Sequence, residues 1–94
     1  MPATFVLEQN YPNPFNPDTE IRFQLSKPAR AVLKIYNALG EEIRTLLEAE
    51  YEPGYHRVRW DGKDNNGHAV ASGIYLYQLR AGRFSQVKKM SLLR

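Results

Sequence analysis

The chain has 94 residues, a mass of 10.9 kDa and a net charge of +3, which suits one domain with one core and is too short for two. Hydrophobic residues at 43% and charged residues at 24% exclude a disordered polyelectrolyte, and no stretch approaches the ~20 apolar residues that a membrane-spanning helix needs. Cysteine is absent, which excludes disulfides, thiolate metal sites and a cysteine nucleophile while leaving the compartment open.

In chain order, Met1-Pro2-Ala3 reads as a start codon and cloning remnant without a secretory signal. Residues 1–6 are taken as remnant or linker, and residues 7–94 as the domain. Tyr11-Pro12-Asn13-Pro14-Phe15-Asn16-Pro17 follows, with three prolines in six positions. Proline removes backbone donors and fixes φ, and it pushes the preceding residue toward extended geometry. This segment is therefore a kinked, extended strap that can be neither helix nor inner strand. Tyr11 and Phe15 are expected to be the two aromatic anchors that fasten it to a core.

Residues 19–25 alternate, with Ile21, Phe23 and Leu25 on one face and Glu20, Arg22 and Gln24 on the other, which predicts a half-buried strand. After Ser26-Lys27-Pro28, Ala31, Leu33 and Ile35 alternate with Val32, Lys34 and Tyr36, predicting a second strand before a turn at Asn37-Ala38-Leu39-Gly40. Residues 41–50 fit two periods: Ile43, Leu46 and Leu47 a helical face, and Ile43, Thr45 and Leu47 a strand face. A strand is favoured, because a short run after a tight turn makes a hairpin more readily than an uncapped helix. Pro53-Gly54 marks a turn into a strand that carries His56, Val58 and Trp60 on one face and Tyr55, Arg57 and Arg59 on the other, with Trp60 as the centre of the core. Residues 61–67, Asp-Gly-Lys-Asp-Asn-Asn-Gly, reverse the chain. Ser72-Gly73 introduces an apolar strand through Arg80 that reads as central, and Ala81-Gly82-Arg83 turns into the last strand, residues 84–93. About seven short strands at intervals near ten residues predict an all-β, immunoglobulin-like antiparallel sandwich.

The charge is uneven. Residues 68–94 contain Arg80, Arg83, Lys88, Lys89 and Arg94 and no acid. Such a basic end suits an acidic partner, a phosphate-bearing surface or nucleic acid; equally, it suits edge-strand charge that blocks sheet-to-sheet aggregation. Arg57 and Arg59 beside Tyr55 form the one basic and aromatic face, yet no nucleic-acid module is present and nucleic acid is not expected as a partner.

Catalytic chemistry is sparse. His56 and His68 lack metal-ligand spacing, serine occurs only at 26, 72, 85 and 91, and a small filled sandwich offers little concave space for a reaction. The expectation is a domain that is not an enzyme and takes no cofactor. Asp61, Asp64 and Asn66 are the one set of hard oxygen donors worth a calcium test, but Lys63 and Asn66 fall where an EF-hand loop needs an oxygen ligand and a glycine. A turn held by Asx hydrogen bonds accounts for the same residues. No glycine-rich phosphate loop is present.

Read together, Asn10 to Pro17, Thr19-Glu20-Ile21-Arg22-Phe23, Tyr36-Asn37-Ala38-Leu39-Gly40, Val58-Arg59-Trp60-Asp61-Gly62, Ser72-Gly73-Ile74-Tyr75-Leu76-Tyr77 and Lys89-Met90-Ser91-Leu92-Leu93 resemble the type A C-terminal sorting domain of type IX secretion cargo, which is related to the immunoglobulin-like domain of flagellar hook-capping proteins. The likeness runs from about Leu7 to Arg94. It implies a seven-stranded sandwich fused behind an N-terminal cargo, exported through the periplasm and passed by an outer-membrane translocon to the cell surface or medium. It further implies a surface protease that removes the domain and joins the cargo to anionic lipopolysaccharide. Carried onto this chain, the recognition elements are Gly73, Tyr75 and Tyr77 together with Lys88, Lys89 and Arg94, while Pro12 to Pro17 closes one end of the sandwich. The domain is expected to be a monomer and the substrate of the machinery. Strand addition to the terminal edge strand is the expected mode of recognition. Two other readings compete: a surface adhesion or carbohydrate-contacting module that uses Tyr36, Tyr51 and Tyr55 on one sheet face, and an assembly scaffold of the hook-capping kind.

Overall fold

The computed structural model describes residues 4–94; Met1-Pro2-Ala3, read above as a cloning remnant, lies outside them. Seven strands follow in chain order: β1 (Val6–Leu7), β2 (Thr19–Leu25), β3 (Ala29–Asn37), β4 (Glu42–Tyr51), β5 (Gly54–Trp60), β6 (Gly73–Ala81) and β7 (Phe84–Leu92). They form two antiparallel sheets, one ordered β1-β2-β5 and the other β4-β3-β6-β7. The expected all-β sandwich is the fold observed.

Alternation decides which side chains enter the space between the sheets. Ile21, Phe23 and Leu25 of β2 meet Leu33, Ile35 and Leu79 of the facing sheet, all fully buried. Trp60, at the end of β5, lies at the centre with no exposed surface. Its ring packs against Phe15 at 5.6 Å and edge-on to Tyr75 at 5.7 Å, and its indole N–H donates to the Lys63 carbonyl at 2.9 Å. A buried tryptophan thereby satisfies its one polar atom. β6 is an inner strand of its sheet, as its apolar run suggests, although Ile74 on the outer face stays exposed.

The ambiguous segment is β4, the hairpin partner of β3 across the turn at Gly40, whose φ of 85° suits glycine. The register runs Tyr36 opposite Glu42, Ile35 opposite Arg44, Lys34 opposite Thr45 and Leu33 opposite Leu47, so Ile43 and Leu46 are extra residues at two irregularities of the pair. β1 has no counterpart among the sequence expectations. Val6 and Leu7 pair with Gln24 and Phe23, and the Phe5 ring packs tilted against Phe84 at 5.7 Å. The folded unit thus reaches back past Leu7 into the stretch read as linker.

The strap ties the sheets together, with cis peptide bonds before Pro12, Pro14 and Pro17. At one end Tyr11 exchanges two backbone hydrogen bonds of 2.9 Å with Glu20 of β2. At the other, the Phe15 N–H donates to the Ser91 carbonyl and the Leu93 N–H to the Phe15 carbonyl, each at 3.0 Å. Phe15 is a buried aromatic anchor, as expected, but Tyr11 is not: its side chain is 79% exposed. Tyr11 is held by its main chain, because pairing with outward-facing Glu20 turns its ring to solvent as well.

Candidate functional site

The candidate recognition residues lie on β6, on β7 and at the C-terminus, and the fold sorts them into three environments. Tyr75 and Tyr77 point inward. The Tyr77 hydroxyl accepts the Asn10 N–H and donates to the Glu8 carbonyl, both at 2.8 Å, and burial pushes its pKa up to about 12. Burial also raises the pKa of Tyr75, whose hydroxyl donates to the Ala71 carbonyl at 2.6 Å. Both tyrosines are core pillars whose polar tips satisfy loop backbone, so a partner of the folded domain does not touch them. Gly73 starts β6 at a φ of 156°, at the exposed rim.

Arg94 turns back onto its own domain. Its Nε donates to the Val70 carbonyl at 2.7 Å and its Nη2 to the Gly62 carbonyl at 2.9 Å, while its backbone N–H donates to the Ser72 hydroxyl at 2.9 Å. The guanidinium therefore clasps the two ends of the connection between β5 and β6, residues 61–72. Lys88 and Lys89 are neighbours on β7 and so project to opposite faces. Lys88 shares the inward-facing set with Met90 and Leu92 but sits half-buried at the edge, and Lys89 is exposed on the outer face. The structure thus leaves only the two lysines of the basic set available on the last strand.

β7 is an edge strand, as the expected mode of recognition requires, but half of that edge is covered. Besides the two bonds to Phe15, the Ser91 N–H donates to Asn13 Oδ1 at 2.9 Å and the Lys89 carbonyl accepts from Gln9 Nε2 at 2.7 Å. The strap is a lock on the C-terminal half of β7 as well as an end-piece. Its own geometry is fixed by Asn10 and Thr19, both buried: Asn10 Nδ2 donates to Thr19 Oγ1 and to the Pro12 carbonyl, and Thr19 Oγ1 donates to the same carbonyl at 2.8 Å. No residue pattern foretold this lock. Only Asn13, a hydrogen-bonding side chain between two prolines, carried a trace of it.

The 61–67 loop uses its carboxylate oxygens on its own backbone and on Arg44 of β4, whose Nη1 lies 3.3 Å from Asp61 Oδ1. Asp61 Oδ1 accepts the Lys63 N–H, and Asp64 Oδ1 accepts those of Asn66 and His68. The His68 N–H is the main cause holding the Asp64 carboxyl below its usual pKa. Asn65 instead covers the opposite edge of the sheet: its N–H donates to the Ile43 carbonyl and its Oδ1 accepts the Thr45 N–H, both at 3.0 Å. Among the described residues no cluster of three histidine, aspartate or glutamate side chains converges as a metal site. His56 stacks on Phe23 at 5.3 Å and lies 2.8 Å from the Glu52 carbonyl, in the wall of the sandwich.

The three tyrosines of the adhesion reading do not share a face. Tyr55 is 70% exposed on the outside of the β1-β2-β5 sheet. Tyr36 lies on the outside of the other sheet, with its hydroxyl 3.4 Å from Gln78 Oε1, and Tyr51 packs edge-on against Phe23 between the sheets. The expectation of one aromatic platform is corrected accordingly: β3, the end of β4 and β5 belong to two sheets and three surfaces.

A family model described as the FlgD Ig-like domain matches residues 10–83, from the strap through β6. No curated protein matches the sequence. Among solved structures, dimeric latent PorU from Porphyromonas gingivalis is similar over 97% of this chain at 20% identity, with a TM-score of 0.75. PorZ, from the same organism and described as an essential bacterial surface component of the type IX secretion system, is similar over 96% at 22% identity, with a TM-score of 0.59. The chain spans about a tenth of the length of either, 10% and 11%. At these identities the likeness is one of fold.

Proposed function

Because this chain belongs to the FlgD Ig-like domain family, and because domains of the same fold occur within PorU and PorZ, we propose that it is a type IX secretion module: a non-catalytic sorting and anchoring domain. It carries a fused N-terminal cargo across the outer membrane to the cell surface, and its partners are the translocon and the surface protease that acts on exported cargo. Anionic lipopolysaccharide is the surface to which that cargo is joined. The observation that carries this reading is the division of labour on β7. Its last residues are locked into the fold, while an unneutralised basic stretch ahead of them stays on the surface. A folded carrier that displays a fixed address needs this arrangement.

The experiment is a fusion of residues 4–94 behind an exported reporter in a bacterium that has the type IX system. The reporter is expected at the cell surface or in the medium with the domain, and in the periplasm without it. Retention of the fusion in the periplasm overturns the reading. Deleting residues 88–94 is a poor substitute, since it removes Met90 and Leu92 from the core and unseats the strap.

A further inference from the structure

The lock on β7 stops short of its first half. Hydrogen bonds from Gln9 and the strap reach Lys89, Ser91 and Leu93, every second residue, so the odd-numbered residues of β7 turn their backbone groups away from β6. The same alternation aims the N–H and C=O of Ser85 and Val87 out of the sheet; β1 packs alongside and its Leu7 N–H donates to Gln86 Oε1 at 3.4 Å, but among the described residues no hydrogen bond to the Ser85 or Val87 backbone comes from outside the β6 ladder. Val87 is 51% exposed. Lys88 and Lys89 border this open stretch, Arg80 and Arg83 lie beside it, and none of the four forms an ion pair among the described residues. Every acid of the chain lies at or before Asp64. The opposite edge of the same sheet, β4, is blunted by its two irregularities and by Asn65.

We propose that the open half of β7, residues 85–88, docks an extended acidic peptide segment as a fifth strand of the β4-β3-β6-β7 sheet. The backbone of Ser85 and Val87 supplies directional bonds, and Lys88 and Lys89 select acidic side chains on the two faces of the incoming strand. Covering residues 89–93 with Gln9 and the strap fixes where that strand must stop, which sets its register. The sorting reading supplies only the identity of what presents the segment. The test uses the purified domain, so its failure and the failure of the secretion assay are told apart.

The probe is a short peptide alternating glutamate and valine, titrated into isotope-labelled domain and followed by NMR, with a lysine and valine peptide as control. The Val87 amide is expected to shift most and to gain protection from exchange. Affinity is expected to fall by about tenfold or more in the Lys88→Glu, Lys89→Glu double variant. It should fall likewise in Val87→Pro, which deletes an outward N–H and leaves the β6 ladder intact. Failure of the acidic peptide to bind at millimolar concentration overturns the proposal. So does binding that Val87→Pro leaves unchanged, which would mark a merely electrostatic surface for any polyanion. Self-association abolished by Glu48→Lys and Glu50→Lys would give the edge to β4 of a second copy and also overturn it.

Discussion

The Arg94 guanidinium donates to the Gly62 carbonyl at 2.9 Å, so a side chain beyond the last strand holds a loop 32 residues earlier. Gly62 has a φ of 76°, and a Cβ there would lie 2.8 Å from the Pro17 carbonyl oxygen and 2.9 Å from Arg94 Nη2. Strap, loop and C-terminus therefore meet at one backbone position that only glycine fits.

Gly62→Ala is expected to destabilise the domain by roughly 2 kcal/mol or more, through a left-handed backbone and a clash with main chain that cannot swing away. Arg94→Ala removes charge-assisted bonds at a solvent-facing site and should cost about 1 kcal/mol. Urea unfolding of the two variants checks both values, and equal losses would refute the close approach at Gly62.

Phe15 and Tyr11 should respond oppositely to truncation. Phe15→Ala empties a pocket beside Trp60 and is expected to cost about 3–4 kcal/mol, whereas Tyr11→Ala should change stability by less than about 0.5 kcal/mol. Thermal melts of the pair decide whether the strap is anchored at both rings or at one.

Tyr77 makes stability sensitive to alkali. Its folded pKa of about 12 lies above the ordinary phenol value near 10. The neutral form is thus favoured by folding, and its contribution is complete below about pH 10 and is lost as pH rises toward 12. Tyr77→Phe leaves the Asn10 N–H and the Glu8 carbonyl without their partner and should cost about 1–3 kcal/mol at neutral pH. Denaturation at pH 9 and pH 11 should show wild type losing more stability than the variant between the two; parallel losses would contradict the buried phenol.

Calcium should do nothing. With Asp61 and Asp64 already accepting loop N–H groups, millimolar calcium is expected to leave the melting temperature unchanged. A rise of several degrees would mean that the loop rearranges into a binding site.

Much of this fold was legible in the chain because its strands alternate strictly. Ile21, Phe23 and Leu25 could belong to nothing but a half-buried strand. β4 was ambiguous for a reason now visible: two register shifts, which leave Leu46 and Ile43 as extra residues, break the alternation, so Ile43, Leu46 and Leu47 all pack partly against the core and mimic a helical stripe. β1 is too short for any period to register. The candidate site was read less well, since alternation tells which face a residue takes but not what crosses to meet it. Tyr75 and Tyr77 were rightly placed on one face, yet Arg94 looked free until the fold brought Gly62 and Val70 beneath it.

The strap binds β7 through contacts that join residues 13–15 to residues 91–93. A chain made from its N-terminus must therefore hold this seam open until residues 91–93 emerge. Removing either side undoes the same closure, so deleting the strap and shortening the last strand should produce one and the same loosened molecule.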